Sequence, residues 1–134
     1  MKAALRKLVW QRADGCCEYC QLHQRFDLLP HHIDHVIARK HDGPTRADNL
    51  ALACVNCSLA KGPNIAGRDP RTKKLTRLFH PRIDVWSDHF RWNGPLIVGK
   101  TAIGRVTVIV LNSNDSDRVA LREMLIDAGV FPPS

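Results

Sequence analysis

The chain has 134 residues, 44% of them apolar and 25% charged, the composition of a folded globular protein with room for one domain and a modest core. Twenty Lys and Arg against thirteen Asp and Glu give a net charge of +7, which favours a polyanionic partner, nucleic acid before membrane. No apolar run approaches the ~20 residues of a bilayer span. Met1–Trp10, with Lys2, Arg6 and Lys7 and no small-residue cleavage site, is not a secretory signal, so a cytoplasmic location is expected, where thiols stay reduced.

Ala3–Arg12 places Leu5, Leu8 and Val9 against Arg6, Lys7 and Arg12, the pattern of a short amphipathic helix. Asp14-Gly15 ends it and turns the chain into Cys17-x-x-Cys20, a zinc knuckle. Gln21–Leu29 runs from polar to apolar, a loop leading into a strand, and Pro30 punctuates it. His31–Ala38, with Ile33, Val36 and Ile37, predicts a strand ending near Arg39. His41-Asp42-Gly43-Pro44 is a loop signal. Asn49–Ala53 reads as a short apolar strand, Cys54-x-x-Cys57 as a second knuckle, and Ser58–Lys61 as a short helix stopped by Gly62-Pro63. Strand, loop, strand and helix make a ββα unit threaded between two halves of one zinc site.

From Lys61 to Arg82 the basic residues Lys61, Arg68, Arg71, Lys73, Lys74, Arg77 and Arg82 face one acid, Asp69, with Pro63, Pro70 and Pro81 among them. This predicts an extended or loosely helical arm over the surface, placed to contact phosphates. The aromatic run Asp84–Trp92 predicts that Trp86, Phe90 and Trp92 cover the core. Thr101–Asn112 and Ser116–Ala128 read as closing helices with Thr101 and Ser116 as N-caps and Gly129 as a C-terminal stop. The β-branched Val106–Leu111 leaves a strand as the alternative there. The tail Phe131–Ser134 carries no functional signal.

Five cysteines in a reducing compartment point to metal rather than disulfides. Cys17, Cys20, Cys54 and Cys57 supply the four thiolates of a structural Zn²⁺ and leave no open position for catalysis. Cys16 is left over, with Cys16-x3-Cys20 as the weaker pairing. The gap from Cys20 to Cys54 exceeds the ~15–20 residues of ordinary ribbons, as an inserted pair of active-site strands would require. Two separate redox Cys-x-x-Cys motifs would need a βαβ context that is absent.

Between the knuckles, Asp34-His35 sets a hard oxygen ligand suited to Mg²⁺ or another divalent cation beside a group that is able to take a proton from water. Neighbouring residues of an ideal strand face opposite ways, so the pair converges only where the strand ends or twists. His32 shares the strand face of Asp34. His31 and His41 read as surface residues. Arg39 and Lys61 are placed to steady charge on a phosphate.

The order I-D-H-V-I-A-R-K, A-D-N-L-A-L-A-C-V-N-C and S-L-A-K-G resembles the HNH endonuclease family, well over about residues 12–67 and more weakly to the end. The resemblance implies an α+β fold: a small zinc-stapled ββα-metal core at about 12–67, with an N-terminal helix and a mostly helical C-terminal extension at about 68–134, all one domain. It implies His35 as general base, Asp34 as catalytic-metal ligand and Asn49 as the brace that orients the base. Ser58 stands where the family has its last His or Asn, normally the second metal ligand; Asn56 and His32 are the candidate substitutes. Arg39, Lys40, Lys61, Arg68, Arg71, Lys73 and Lys74 would hold the nucleic-acid backbone, with DNA the favoured partner. The expected function is metal-dependent phosphodiester hydrolysis leaving 5′-phosphate and 3′-hydroxyl ends. The alternative, kept open by Ser58, is a zinc-stapled nucleic-acid-binding module without catalysis.

Gly94–Thr101 also satisfies G-x-x-x-x-G-K-[ST]. Phe90-Arg-Trp-Asn93 before it is not an apolar strand, Leu96, Ile97 and Val98 are too bulky for an anion cradle, and too little chain follows Thr101 for a parallel α/β sheet. A strand followed by an N-cap at Thr101 is the expected reading.

Overall fold

The computed structural model describes residues 1–133. Helix α1 (Ala3–Arg12) leads into the first knuckle, and Asp14 and Gly15 both take left-handed backbone angles where the chain turns. Strand β1 (His32–His35) pairs antiparallel with β2 (Leu50–Ala53), in register Ile33 with Leu52 and Asp34 with Ala51. Helix α2 (Val55–Lys61) follows directly, its first turn capped by the Cys54 side chain. The expected ββα unit is therefore present, although its first strand is shorter than His31–Ala38. The chain leaves it after His35, and Arg39–His41 forms a 3-10 turn. Gln21–Leu29 forms a 3-10 turn at Gln24–Phe26 rather than the entry to a strand.

β2 is buried throughout, and its Leu-Ala alternation splits it between two cores. Leu50 and Leu52 pack with Val9 of α1 and with Ile33. Ala51 and Ala53 face the larger core of the knuckles, Phe79, Phe90 and Ile97. Period-2 side chains let one strand serve both sides. The first knuckle is tied to this strand, because Glu18 N–H donates to the Leu52 carbonyl and Leu52 N–H donates to the Glu18 carboxylate.

The basic arm is a hairpin, not a loose extension: β3 (Ala66–Arg68) pairs antiparallel with β4 (Leu75–Arg77). Its turn is built on Asp69, whose carboxylate accepts from Arg71 N–H and Thr72 N–H and is held at 2.9 Å by two guanidinium nitrogens of Arg105. A second hairpin, β5 (Phe90–Asn93) with β6 (Leu96–Gly99), follows the short helix α3 (Trp86–His89). Helices α4 (Ala102–Val110) and α5 (Ser116–Asp127) close the chain as expected, and the strand alternative for Val106–Leu111 is excluded. Thr101 caps α4 by accepting from Gly104 N–H, but α5 is capped by Asp115 rather than Ser116. Gly129 takes a left-handed φ of +74° after α5. The Gly94–Thr101 segment is hairpin turn, strand and cap, and Lys100 donates to the Ser87 carbonyl. The fold is α+β, with two hairpins inside the extension that was expected to be mostly helical. No described helix is long and apolar enough to cross a membrane.

Candidate functional site

The Sγ atoms of Cys17, Cys20, Cys54 and Cys57, all buried, lie within 4.8 Å of one another. Zn–S bonds of about 2.3 Å in a tetrahedron place sulfurs about 3.8 Å apart; Cys20 and Cys54 are separated by 3.7 Å. Cys20 N–H points at Cys17 Sγ and Cys57 N–H at Cys54 Sγ, at 3.5 and 3.4 Å, as in a knuckle that supports thiolates. Hydrogen bonds from Cys17 are the largest influence lowering the Cys20 and Cys54 thiols. The donor set and its spacing fit one zinc ion. Cys16 stays outside, its thiol directed at the Asp14 carbonyl.

The aromatic run covers the first knuckle and also bonds to it. Trp86 Nε1–H donates to the Tyr19 carbonyl at 2.9 Å and Trp92 Nε1–H to Gln21 Oε1 at 3.1 Å. From α5, the Arg118 guanidinium donates to Cys54 Sγ at 2.9 Å and approaches Cys20 Sγ at 3.5 Å.

Beside this cluster, Asp34 and His35 sit at the end of β1. The Asp34 carboxylate faces α2: Lys61 Nζ lies 3.1 Å from its Oδ2, and the Tyr19 hydroxyl donates to the same oxygen at 3.2 Å. Lys61 Nζ also donates to the His35 carbonyl at 3.1 Å. Lys61 was expected on the surface with the basic arm; it is only 1% exposed, turned inward to Asp34 and the His35 carbonyl at the end of β1. Its ammonium therefore serves Asp34 and not a phosphate. Burial raises the Asp34 carboxyl above its ordinary range, and Lys61 opposes that shift. Burial first and then Asp34 raise the Tyr19 phenol well above its usual value, so it is a neutral donor.

The His35 ring turns the other way, to the loop that follows β1. Its Nε2 is 2.8 Å from Thr45 Oγ1, which also accepts from Arg39 Nη1 at 2.8 Å. In the tautomer protonated at Nε2, the ring donates to Thr45 and Nδ1 carries the lone pair. Burial, then the Arg39 charge, lower the His35 imidazole below its usual value, while Asp34 pulls the other way. The imidazole is thus neutral near pH 7.

Asn49 is buried and laces the loop. Its Nδ2 donates to the Ile37 and Pro44 carbonyls at 3.0 and 2.9 Å, and its Oδ1 accepts from Ile37 N–H at 2.9 Å. Gly43 closes the same loop so tightly that a Cβ there would lie 1.7 Å from the Ile37 carbonyl oxygen. Ser58 is one turn before Lys61 on α2 and so shares the helix face that looks toward β1. Asn56 and His32 are exposed. His31, expected at the surface, is buried: its ring stacks on Trp10 and its Nε2 lies 2.9 Å from the Leu22 carbonyl oxygen. His41 is exposed.

Arg68, Arg71, Lys73 and Lys74 are all exposed at the tip of the β3–β4 hairpin, and Arg39 and Lys40 are exposed in the loop after β1. Arg77 and Arg82 are committed elsewhere, Arg77 in a bidentate pair with Asp84 at 2.7 and 2.8 Å and Arg82 with Glu18 of the first knuckle. Thr45, Tyr19 and Arg118 escaped the sequence reading. Thr45 and Tyr19 carry no spacing signal, whereas Arg118 and Arg122 were recognisable as same-face cations of a predicted helix.

Residues 17–64, the segment holding both knuckles, β1, β2 and α2, match the model of the HNH endonuclease family. The chain is also 24% identical over 128 residues to Septu protein PtuB of Bacillus thuringiensis, a match that covers 93% of this chain and 47% of that protein. The chain thus spans about half the length of the curated relative it matches. No solved structure matches it.

Proposed function

We propose that the protein is a metal-dependent endonuclease that hydrolyses phosphodiester bonds of nucleic acid, with DNA the first substrate to test. The observation that carries this reading is the His35 ring, held at Nε2 by Thr45, next to an Asp34 carboxylate whose donors Tyr19 and Lys61 share Oδ2. Oδ1 is then the oxygen suited to a hard divalent cation, with the Ser58 hydroxyl on the neighbouring helix face. Such a cation supplies Lewis acidity toward the scissile phosphate and the leaving oxygen. His35 accepts a proton from the attacking water at Nδ1. Thr45 fixes the ring and its tautomer, and Asn49 fixes the loop that carries Thr45. Lys61 and Tyr19 hold the Asp34 carboxylate in one orientation. Arg39, Lys40 and the hairpin-tip residues Arg68, Arg71, Lys73 and Lys74 bind the phosphate backbone. The zinc centre, held by Cys17, Cys20, Cys54 and Cys57, staples the core and takes no part in the reaction.

The test is nicking of supercoiled plasmid with Mg²⁺, Mn²⁺, Ni²⁺ or EDTA. Wild type is expected to nick only with a divalent cation, and His35→Ala to lose about 10²–10⁴-fold of the rate. Undiminished nicking by His35→Ala would overturn the assignment. A second reading, binding without cleavage, is favoured by the Lys61 ammonium already pairing with Asp34 and by Ser58. It predicts salt-sensitive binding that His35→Ala leaves unchanged, no nicking by wild type, and nicking restored in Ser58→Asn.

A further inference from the structure

Helix α5 carries two cations without a carboxylate partner, and one of them, Arg118, bonds to the four-cysteine cluster. Arg118 and Arg122 lie one turn apart on α5 and therefore on one face. Arg118 donates to two of the four sulfurs, at 2.9 and 3.5 Å. Arg122 is only 3% exposed; it donates to the Arg118 and Ser113 carbonyls, its guanidinium lies 5.5 Å from the centre of the Trp92 ring, and its Nη1 is buried with no partner. Among the described residues neither guanidinium is paired with a carboxylate, whereas Arg77, Arg82 and Arg105 each are. Burying a cation without an anion is strongly unfavourable.

The missing anion is the metal centre itself. Zinc with four thiolates carries two net negative charges. We propose that Arg118 and Arg122 are the counter-charges of the tetrathiolate zinc centre, Arg118 by direct N–H···S bonds and Arg122 through space. Helix α5, outside the segment that supplies the thiolates, is then part of the metal site. The docked α5 covers Cys20 and Cys54 against protonation and chelators. This inference rests on the zinc reading and is independent of the reaction assigned to His35.

The test uses the full zinc-loaded chain and the variants Arg118→Gln, Arg118→Lys and Arg122→Gln, with Leu121→Ala as a control that loosens α5 packing without touching a sulfur. Zinc content is measured first, then the rate at which zinc passes to an excess of a chromogenic chelator, well below the unfolding temperature. Arg118→Gln and Arg122→Gln are expected to release zinc about 10–100-fold faster, the usual scale for partners of metal ligands. Arg118→Lys should lie nearer wild type, and Leu121→Ala should release zinc at close to the wild-type rate. In the cobalt-exchanged protein, the thiolate-to-metal charge-transfer band should move to lower energy in Arg118→Gln, a readout that a packing role would not move. Wild-type release and an unshifted band in Arg118→Gln would overturn the proposal, as would a Leu121→Ala chain that loses zinc as fast as Arg118→Gln. Wild-type protein without bound zinc would overturn the zinc reading as well, whereas failure to nick plasmid in a zinc-loaded protein bears only on the proposed reaction.

Discussion

Lys61 Nζ and Asp34 Oδ2 are 3.1 Å apart, with side chains 1% and 11% exposed, so the end of α2 and the end of β1 are joined by a buried ion pair. Removing one partner strands the other charge, which costs about 3–5 kcal/mol in such settings. Lys61→Met is therefore expected to be destabilised by about that amount in urea unfolding. If the loss stays below ~1 kcal/mol, the range of an exposed pair, the Asp34 charge is relieved by water rather than by Lys61.

The pH dependence follows from His35. Its imidazole is lowered first by burial and then by Arg39, so the reactive neutral form persists below the usual value of 6.5 and activity falls only as pH drops through the lowered value. Taking away the Arg39 cation removes an influence that disfavours imidazolium, which raises the value. In Arg39→Gln the acid limb of kcat/KM is expected to shift to higher pH; a shift to lower pH, or none, would show that Arg39 does not act on the ring.

Asn49 satisfies two carbonyls and one N–H with one amide. Asn49→Ala leaves those groups buried and unpaired, a loss of about 1–3 kcal/mol. Asn49→Asp keeps the shape but turns an acceptor oxygen toward the Ile37 and Pro44 carbonyls, so its melting temperature should be the lower of the two. An Asp variant as stable as wild type would contradict the assigned orientation of the amide.

The hairpin tip is open to a binding test. If Arg71, Lys73 and Lys74 each neutralise one phosphate, replacing one of them by Gln reduces the salt slope of duplex binding by about 0.9. Titrations of a fluorescent duplex at several salt concentrations would measure this. A slope that does not change would place the nucleic acid elsewhere on the protein.

Acid should loosen the second half of the chain. Bonds from Arg77 hold the Asp84 carboxyl down at about 2, and Arg105 holds Asp69 below its ordinary range. A depressed carboxyl contributes stability that is complete above its unfolded value of 3.8 and fades as pH falls toward about 2. Circular dichroism melts between pH 5 and about 2 should show a falling transition temperature, with less of a fall in Arg77→Gln.

What the sequence revealed was local. Two Cys-x-x-Cys pairs, the Asp34-His35 dipeptide and Asn49 declare themselves through side-chain chemistry at short spacing, and the ββα unit follows from their order. What it concealed depends on which segments meet. The inward turn of Lys61 requires knowing that the end of α2 meets the end of β1. His31 and His32 are alike in composition, and only the strand face and Trp10 separate them. The β3–β4 hairpin has no apolar alternation; its turn is held by Asp69 and by Arg105 of a later helix, and Gly67 lets it lie against Val106 and Val110, where a Cβ would come within 2.9 Å. Such pairings leave no periodic trace in a basic, proline-punctuated stretch.

The run from Asn49 to Lys61 holds, within thirteen residues, the loop brace, a strand buried on both faces, two of the four sulfurs and the partner of Asp34. Adding or deleting one residue within β2 would exchange its Leu and Ala faces and displace the second knuckle, and one within α2 would turn Lys61 off its face. Length changes should therefore be lethal to folding between Asn49 and Lys61 yet harmless at the exposed tip, residues 70–74, so a library of single-codon insertions scored by recovery of folded protein should show a sharp gap over the first stretch and none over the second.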